Sequence, residues 1–200
     1  GLTANETIGD IDFYQNDASG GGVGVVGKIR SINSSGFQGE ASLAFHTGTT
    51  GGLTERMRID SSGNVLVGTT STAVYASSSE SGLVYRADFG LLGVSRQNNY
   101  SGSFNRYGTG GDIVNFRKDG TSVGSIGNFG GDLYIGTEDV GLHFYDYSTQ
   151  NAIMPHNPTT NATADALIDL GRGVSGSPGR FKDLYLSGGV YLGGTGAANK

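Results

Sequence analysis

Glycine recurs so closely along this chain, at 37 of its 200 residues, that few stretches between glycines could hold an ordinary helix. Each glycine inside a helix costs about 1 kcal/mol relative to alanine, because it surrenders the most backbone freedom and returns no side-chain contact. What remains between the glycines are segments of four to six residues in which apolar and polar side chains alternate, as in "RMRIDSSGNVLVGTT", "NFRKDGTSVGSIGN" and "GDLYIGTED". A period of two is the signature of a half-buried strand. Pairs such as Ser62-Gly63, Asp119-Gly120 and Gly130-Gly131 lie between the alternations, where tight hairpins need backbone with positive φ. The expected class is all-β, built of glycine-rich short strands and hairpins. The one helix candidate is "NATADALIDL", Asn161–Leu170, worth a turn or two.

One glycine cluster mimics a nucleotide site. "GVGVVGK" at Gly22–Lys28 has the spacing G-x-G-x-x-G, and nearly that of a phosphate loop. Both motifs work by aiming backbone N–H groups and a helix N-terminus at phosphate, so a helix must follow. Here Gly36 and Gly39 interrupt the sequence that follows, and Ile29 stands where the phosphate loop needs a hydroxyl for magnesium. The cluster is expected to be a strand and its turn.

Composition removes further classes. With no cysteine the chain has neither disulfides nor thiolate metal sites. A formal net charge of −5 argues against nucleic acid or an anionic membrane as partner, and no apolar run is long enough for membrane insertion. The large aliphatic residues are sparse for a chain of this length, while ten Tyr and nine Phe suit pleated, half-buried surfaces. Such a chain offsets its conformational entropy poorly by itself, so association is expected to be part of folding. Gly1 is not an initiator Met and no signal peptide is visible, so the chain reads as a piece of a longer one.

A pattern recurs as "GNVLVGT" at Gly63–Thr69, "GDLYIGT" at Gly131–Thr137 and "GGVYLGG" at Gly188–Gly194, at spacings too unequal for a solenoid. Related hairpin units separated by variable ones fit better. The Ser-rich Ser71–Gly82 and the Asn/Pro/Thr-rich Met154–Asp165 are candidate junctions, giving a first hairpin module at 1–75, a middle module with aromatic loops at 76–153 and a C-terminal hairpin module at 154–200. Alternation puts Val65 and Val67 on one face and Asn64 and Leu66 on the other. A lone chain would leave one face and two strand edges open, and three identical chains around a common axis would close them. A homotrimer is the expected assembly. Arg56 and Arg58, paired with Glu55 and Asp60, read as ion pairs between chains or at the surface, of small energetic weight.

"TERMRIDSSGNVLVGTT" at Thr54–Thr70 closely resembles a recurring phrase in tail fibres and related fibrous virion proteins of bacteriophages. Val114–Phe144 and Asp165–Lys200 look like segments that follow it in such fibres, and "IGDIDFYQNDASGGGVGVVGKIRSI" is similar to another module of the same kind. The likeness touches most of the chain, least at Ser71–Asn105. It implies an elongated, intertwined homotrimeric fibre of β-prism or triple-β-helix-like modules, a virion structural protein. Its partners would be further copies of itself, other tail proteins and a host surface glycan. Such fibres often end in an intramolecular chaperone domain of the endosialidase type, which this segment would precede.

The residues themselves offer three kinds of chemistry. For sugar recognition, Tyr100, Phe104 and Tyr107 lie among Arg96, Asn98, Asn99, Asn105 and Arg106, and Tyr145 and Tyr147 share a strand face; aromatic rings with amides nearby suit sugar rings. The plainer reading packs these aromatics on a trimer axis. For metal, none is expected among His46, His143 and His156, although His143 repeated on a threefold axis would make a ring of three nitrogens. The plainer reading is an imidazole on the fibre surface. For catalysis, paired carboxylates could come from Asp112, Asp119, Asp132, Glu138, Asp139 and Asp146, but several sit at turn positions where Asp bonds backbone. The expectation is a non-enzymatic fibre segment without cofactor. A polysaccharide-degrading tailspike and a bacterial adhesin or surface filament are the alternatives.

Overall fold

The computed structural model of the protein describes residues 3–19, 22–35, 39–148, 150–171, 179 and 181–189, leaving aside the side chains of Tyr147 and Gln150. The third copy of the repeat lies almost wholly outside these residues. All regular structure among them is strand except one 3₁₀ turn at Val74–Ala76. Two compact units divide the chain, Gly1–Ser103 and Phe104–Lys200, at a point inside the expected middle module. Each holds one antiparallel sheet, open rather than closed into a barrel.

The first unit is a seven-stranded meander whose neighbours follow chain order: β1 (Thr7–Gln15), β2 (Gly24–Asn33), β3 (Ala41–Thr49), β4 (Gly52–Ile59), β5 (Val65–Val67), β6 (Gly82–Arg86) and β7 (Leu91–Ser95). The glycine cluster at Gly22–Lys28 runs into β2 and has no helix after it, as the sequence predicts. The second unit is a six-stranded meander of β8 (Gly111–Lys118), β9 (Thr121–Phe129), β10 (Asp132–Thr137), β11 (Val140–Tyr147), β12 (Gln150–Asn157) and β13 (Ala162–Thr163). Asp119 and Gly120, both with positive φ, join β8 to β9 in the geometry of a type I′ turn. The helix expected at Asn161–Leu170 does not form. Asn161 and Ala166 take left-handed backbone, Ala162–Thr163 pairs with β12, and the Ala164 amide donates to the Pro155 carbonyl, so local pairing overrides the helix-favouring composition.

Each sheet has one face closed by its own chain and one that is not. On the closed face of the first sheet, Leu66, Val74 and Val84 form a small buried cluster, with Val74 supplied by the 3₁₀ turn. Tyr75 of the same turn lies over Gly93, where a Cβ would collide with its ring. Ser71–Gly82, read as a junction, thus contributes to the core between β5 and β6. Ala44 and Ile32 are buried further along this face, beside ion pairs: Asp10 accepts from Lys28 at 2.6 Å and from Arg30 at 2.9 Å, and Arg58 makes two bonds to Glu55 at 2.9 and 2.8 Å. Residues three apart in a regular strand point to opposite faces, but the register slips between Phe45 and His46, leaving Arg56 unmatched and bringing Glu55 and Arg58 to the same side. That pair was expected at the surface or between chains; it forms within one.

The other face of the first sheet is apolar. Ile11, Ile29, Phe45, Met57, Val67, Leu83 and Val94 stand directly opposite one another across all seven strands, and Leu43, Ile59, Val65, Tyr85 and Leu92 make a second row across five. Ile11 is 62% exposed and Leu92 64%. In the second sheet Val114, Ile126, Ile135, Leu142 and Pro155 form the matching row, flanked by Leu133, Phe144 and Ile153, and most of them are about half exposed. The polar and aromatic face of that sheet is the buried one.

Candidate functional site

The buried face of the second sheet gathers most of the unit's titratable chemistry. Alternation places Asp132 and Tyr134 on β10, His143 and Tyr145 on β11, His156 on β12, and Ser125 and Phe129 on β9 toward the same side. The sequence reading of His143 and Tyr145 opposite Leu142 and Phe144 agrees with this arrangement. Gly127, opposite Tyr134, makes the cluster possible: the Tyr134 ring lies flat across it in space that any Cβ would take. Tyr134 is completely buried and its hydroxyl donates to Asp112 Oδ1 at 2.6 Å. Burial, and then that bond to a carboxylate, push the phenol up to about 12. Burial works to raise Asp112 as well, but hydrogen bonds from Ser125 and Tyr134 and the nearby Arg106 charge outweigh it and hold the carboxyl below its ordinary value.

His143 and His156 lie beside this pair. Tyr134 and His156 have ring centroids 4.4 Å apart, Phe129 sits 5.2 Å from His156 and 5.4 Å from His143, and the two imidazoles are 5.7 Å from each other. Both histidines are almost fully buried, and none of their four ring nitrogens has a hydrogen-bond partner. The nearest carboxylate, Asp132, is 3.8 Å from His143 Nε2. Burial, followed by the neighbouring His143, lowers the pKa of His156, against a smaller pull from Asn161. His143, read as a surface imidazole, is instead an interior one, and His156 was named in the sequence without being given a role. The register that joins them is set by the hairpin that pairs Tyr147 with Gln150, a position the sequence reading did not mark.

The structure treats the expected sugar-contact residues in two ways. Tyr100, Phe104 and Tyr107 are 89%, 74% and 98% exposed, outside any strand. Asn98 has positive φ and Asn99 Oδ1 accepts from the Tyr100 amide, so local Asx geometry holds Tyr100 outward. Arg106 is held by its own loop, donating to the carbonyls of Thr109 at 2.8 Å and Asp112 at 3.2 Å, and is less available to a ligand than its sequence position implies. Asn98, Asn99 and Tyr100 belong to the first unit, and Phe104, Arg106 and Tyr107 to the second. Tyr145 is half-buried against His143, with ring centroids 5.9 Å apart, on the closed face; the Tyr147 side chain lies outside the described residues.

Of the acidic candidates, Asp112 and Glu138 line a common cavity of about 200 Å³ with Ser122, Ser125 and Thr159. Asp112 is committed to Tyr134, and the Glu138 backbone, in left-handed conformation, holds Thr159 through its carbonyl. Among the described residues no group of three His, Asp or Glu side chains could hold a metal ion. No helix among them is long and apolar enough to cross a membrane. No protein-family model matches the chain, and no curated protein matches its sequence.

Proposed function

We propose that this chain is a segment of a homotrimeric bacteriophage virion fibre, a non-enzymatic structural protein whose exposed aromatics serve attachment to a host surface glycan. The observation that carries the reading is the pair of uncovered apolar faces. The twelve side chains of the two rows in the first unit present on the order of 600 Å² of apolar surface, at the upper limit of what monomeric proteins leave to water. A sheet that closes its polar face with its own loops and leaves its apolar face open is half of an interface. Identical neighbours around an axis supply the other half without any further gene product. The resemblance of Thr54–Thr70 to fibre sequences names the kind of assembly, and Tyr100, Phe104 and Tyr107, free of strands, are the rings left for a sugar to stack on.

Native mass spectrometry or light scattering of the intact chain tests the assembly. A mass of three chains supports the reading, and a monomer with an unchanged far-UV spectrum defeats it. Attachment is tested separately, by binding of the chain to host surface polysaccharide before and after Tyr100→Ala and Tyr107→Ala.

A further inference from the structure

We propose that the His143–His156 pair makes the second unit an acid-sensitive element: the aromatic enclosure of the pair holds no anion for a charge on His156, and protonation there opens β11 and β12 while the first unit stays folded. This goes beyond the fibre role and does not depend on it.

The argument begins with the four partnerless ring nitrogens. A neutral imidazole tolerates an aromatic cage, since it carries no net charge and only one N–H. An imidazolium has two donors and a full charge to satisfy, in a place closed to water. What faces the pair offers little to satisfy it. From β9 come Phe129 and Ser125, neither charged. From β10 comes Tyr134, whose proton is committed to Asp112, and Asp132, 3.8 Å from His143 but on the far side from His156. From β11 comes Tyr145, uncharged. From β8 comes Asp112, already taken up by Tyr134, with the positive Arg106 in the preceding loop. Beyond β12, the Asn161 side-chain oxygen, buried without another bond, is a neutral acceptor for His156 and favours its charged form less than burial and His143 disfavour it. Asp132 can support one charge, on His143. A second charge 5.7 Å away meets repulsion and no anion, so the pair cannot take up two protons in place.

The direction of the response follows from linkage. His156 is lowered in the folded state by burial and by His143, so the unfolded chain binds the more protons below its ordinary value near 6.5. The stabilising contribution of His156 is complete above that value and is lost as pH falls below it, by up to tenfold in the opening equilibrium per pH unit.

Hydrogen exchange of the intact chain at pH 7.5 and 5.0, corrected for the intrinsic pH dependence of exchange, reads the opening strand by strand. The expected result is faster exchange at pH 5.0 by tenfold or more in β11 and β12, with β6 and β7, which carry no histidine, unchanged. His156→Phe, which keeps an aromatic ring against Tyr134 and Phe129, should remove most of the acid response. Where that variant does not fold, a ring-proton NMR titration of the unaltered chain decides: a His156 midpoint below the ordinary value, with broadening of β11 and β12 signals, supports the proposal. Equal protection of the second unit at both pH values, an ordinary His156 midpoint, or an acid response that survives His156→Phe would each overturn it.

Discussion

Replacing Leu142 with aspartate separates an open apolar face from one that a neighbour covers. Leu142 stands in the middle of the row Val114, Ile126, Ile135, Leu142 and Pro155 and is 46% exposed. Full burial of a leucine is worth roughly 1.5–3 kcal/mol, so covering the remaining half adds about 1 kcal/mol per copy. Aspartate forfeits that gain and places a carboxylate without a partner in the covered interface, at a cost of roughly 3–5 kcal/mol. Together these weaken association by about 4–6 kcal/mol per copy, three to four powers of ten in the equilibrium constant. In an isolated unit the carboxylate would reach water, and the cost would be about 1–2 kcal/mol of lost half-burial and strand preference. Sedimentation velocity with parallel circular dichroism distinguishes the two cases. The expected outcome for Leu142→Asp is a shift to monomer, while Tyr107→Asp, at a residue 98% exposed outside the strands, leaves the assembly intact. If Leu142→Asp keeps the mass and thermal midpoint of the unaltered chain, the face is not an interface and the reasoning fails.

Three further outcomes follow from the closed faces. Gly127→Ala puts a methyl group where the Tyr134 ring and the Gly111 carbonyl already lie, and should destabilise the second unit by about 1–3 kcal/mol, read as a lower thermal midpoint. Tyr134 should give a late step in an absorbance titration: its folded pKa is raised to about 12, so its contribution is complete below the ordinary phenol value of 10.0 and fades as pH rises from there to about 12. A Tyr134→Phe variant that leaves the late step in place would show the assignment to be mistaken. In the first unit, hydrogen bonds from Arg30 and then Lys28 hold Asp10 well below the ordinary carboxylate range, so its contribution is complete above that range and disappears only as pH falls beneath it; Asp10→Asn should flatten the acid limb of that unit's melting profile.

Strand, turn and face were legible because each depends on a period of two and on a few turn residues. Asp119-Gly120 marked its hairpin, and the alternation of Asn64, Val65, Leu66 and Val67 marked its faces, with Leu66 and Asn64 both buried in the structure. The identity of the closed face was not legible. Apolar residues on one side of a strand argue for that side inward, yet here the aromatic and charged side is inward. The decision rests on glycines paired across strands with aromatics, Gly127 with Tyr134 and Gly93 under Tyr75, since a flat ring over bare backbone closes a face without aliphatic bulk. Those matches depend on register or on a distant turn and leave no mark in local composition. Asp60 escaped in the same way: it reads as the partner of an arginine, but its carboxylate accepts from the Ser62 and Asn64 amides and the Asn64 side chain, which in turn accepts from the Ala87 amide. The turn it ties connects β4 to the β6–β7 hairpin.

The two closed faces solve the same problem with different chemistry, and this sets the order in which acid should undo them. Both carry polar side chains on their closed faces, at exposed or part-buried positions in the first unit and in the interior of the second. The first unit does so with permanent charges: Asp10 between Lys28 and Arg30, and Glu55 against Arg58. These pairs persist until the carboxylates protonate, well on the acid side of neutrality. The second unit does so with neutral rings, and its two imidazoles lie closest to neutrality in their ordinary titration. A neutral imidazole costs little to enclose at pH 7.5 and a great deal at pH 5. The apolar faces add a common term to both units, since covering them does not depend on protonation. The proposed association would not by itself depend on protonation, so acid should release β11 and β12 while the ladder from Asp10 to Arg58 still holds.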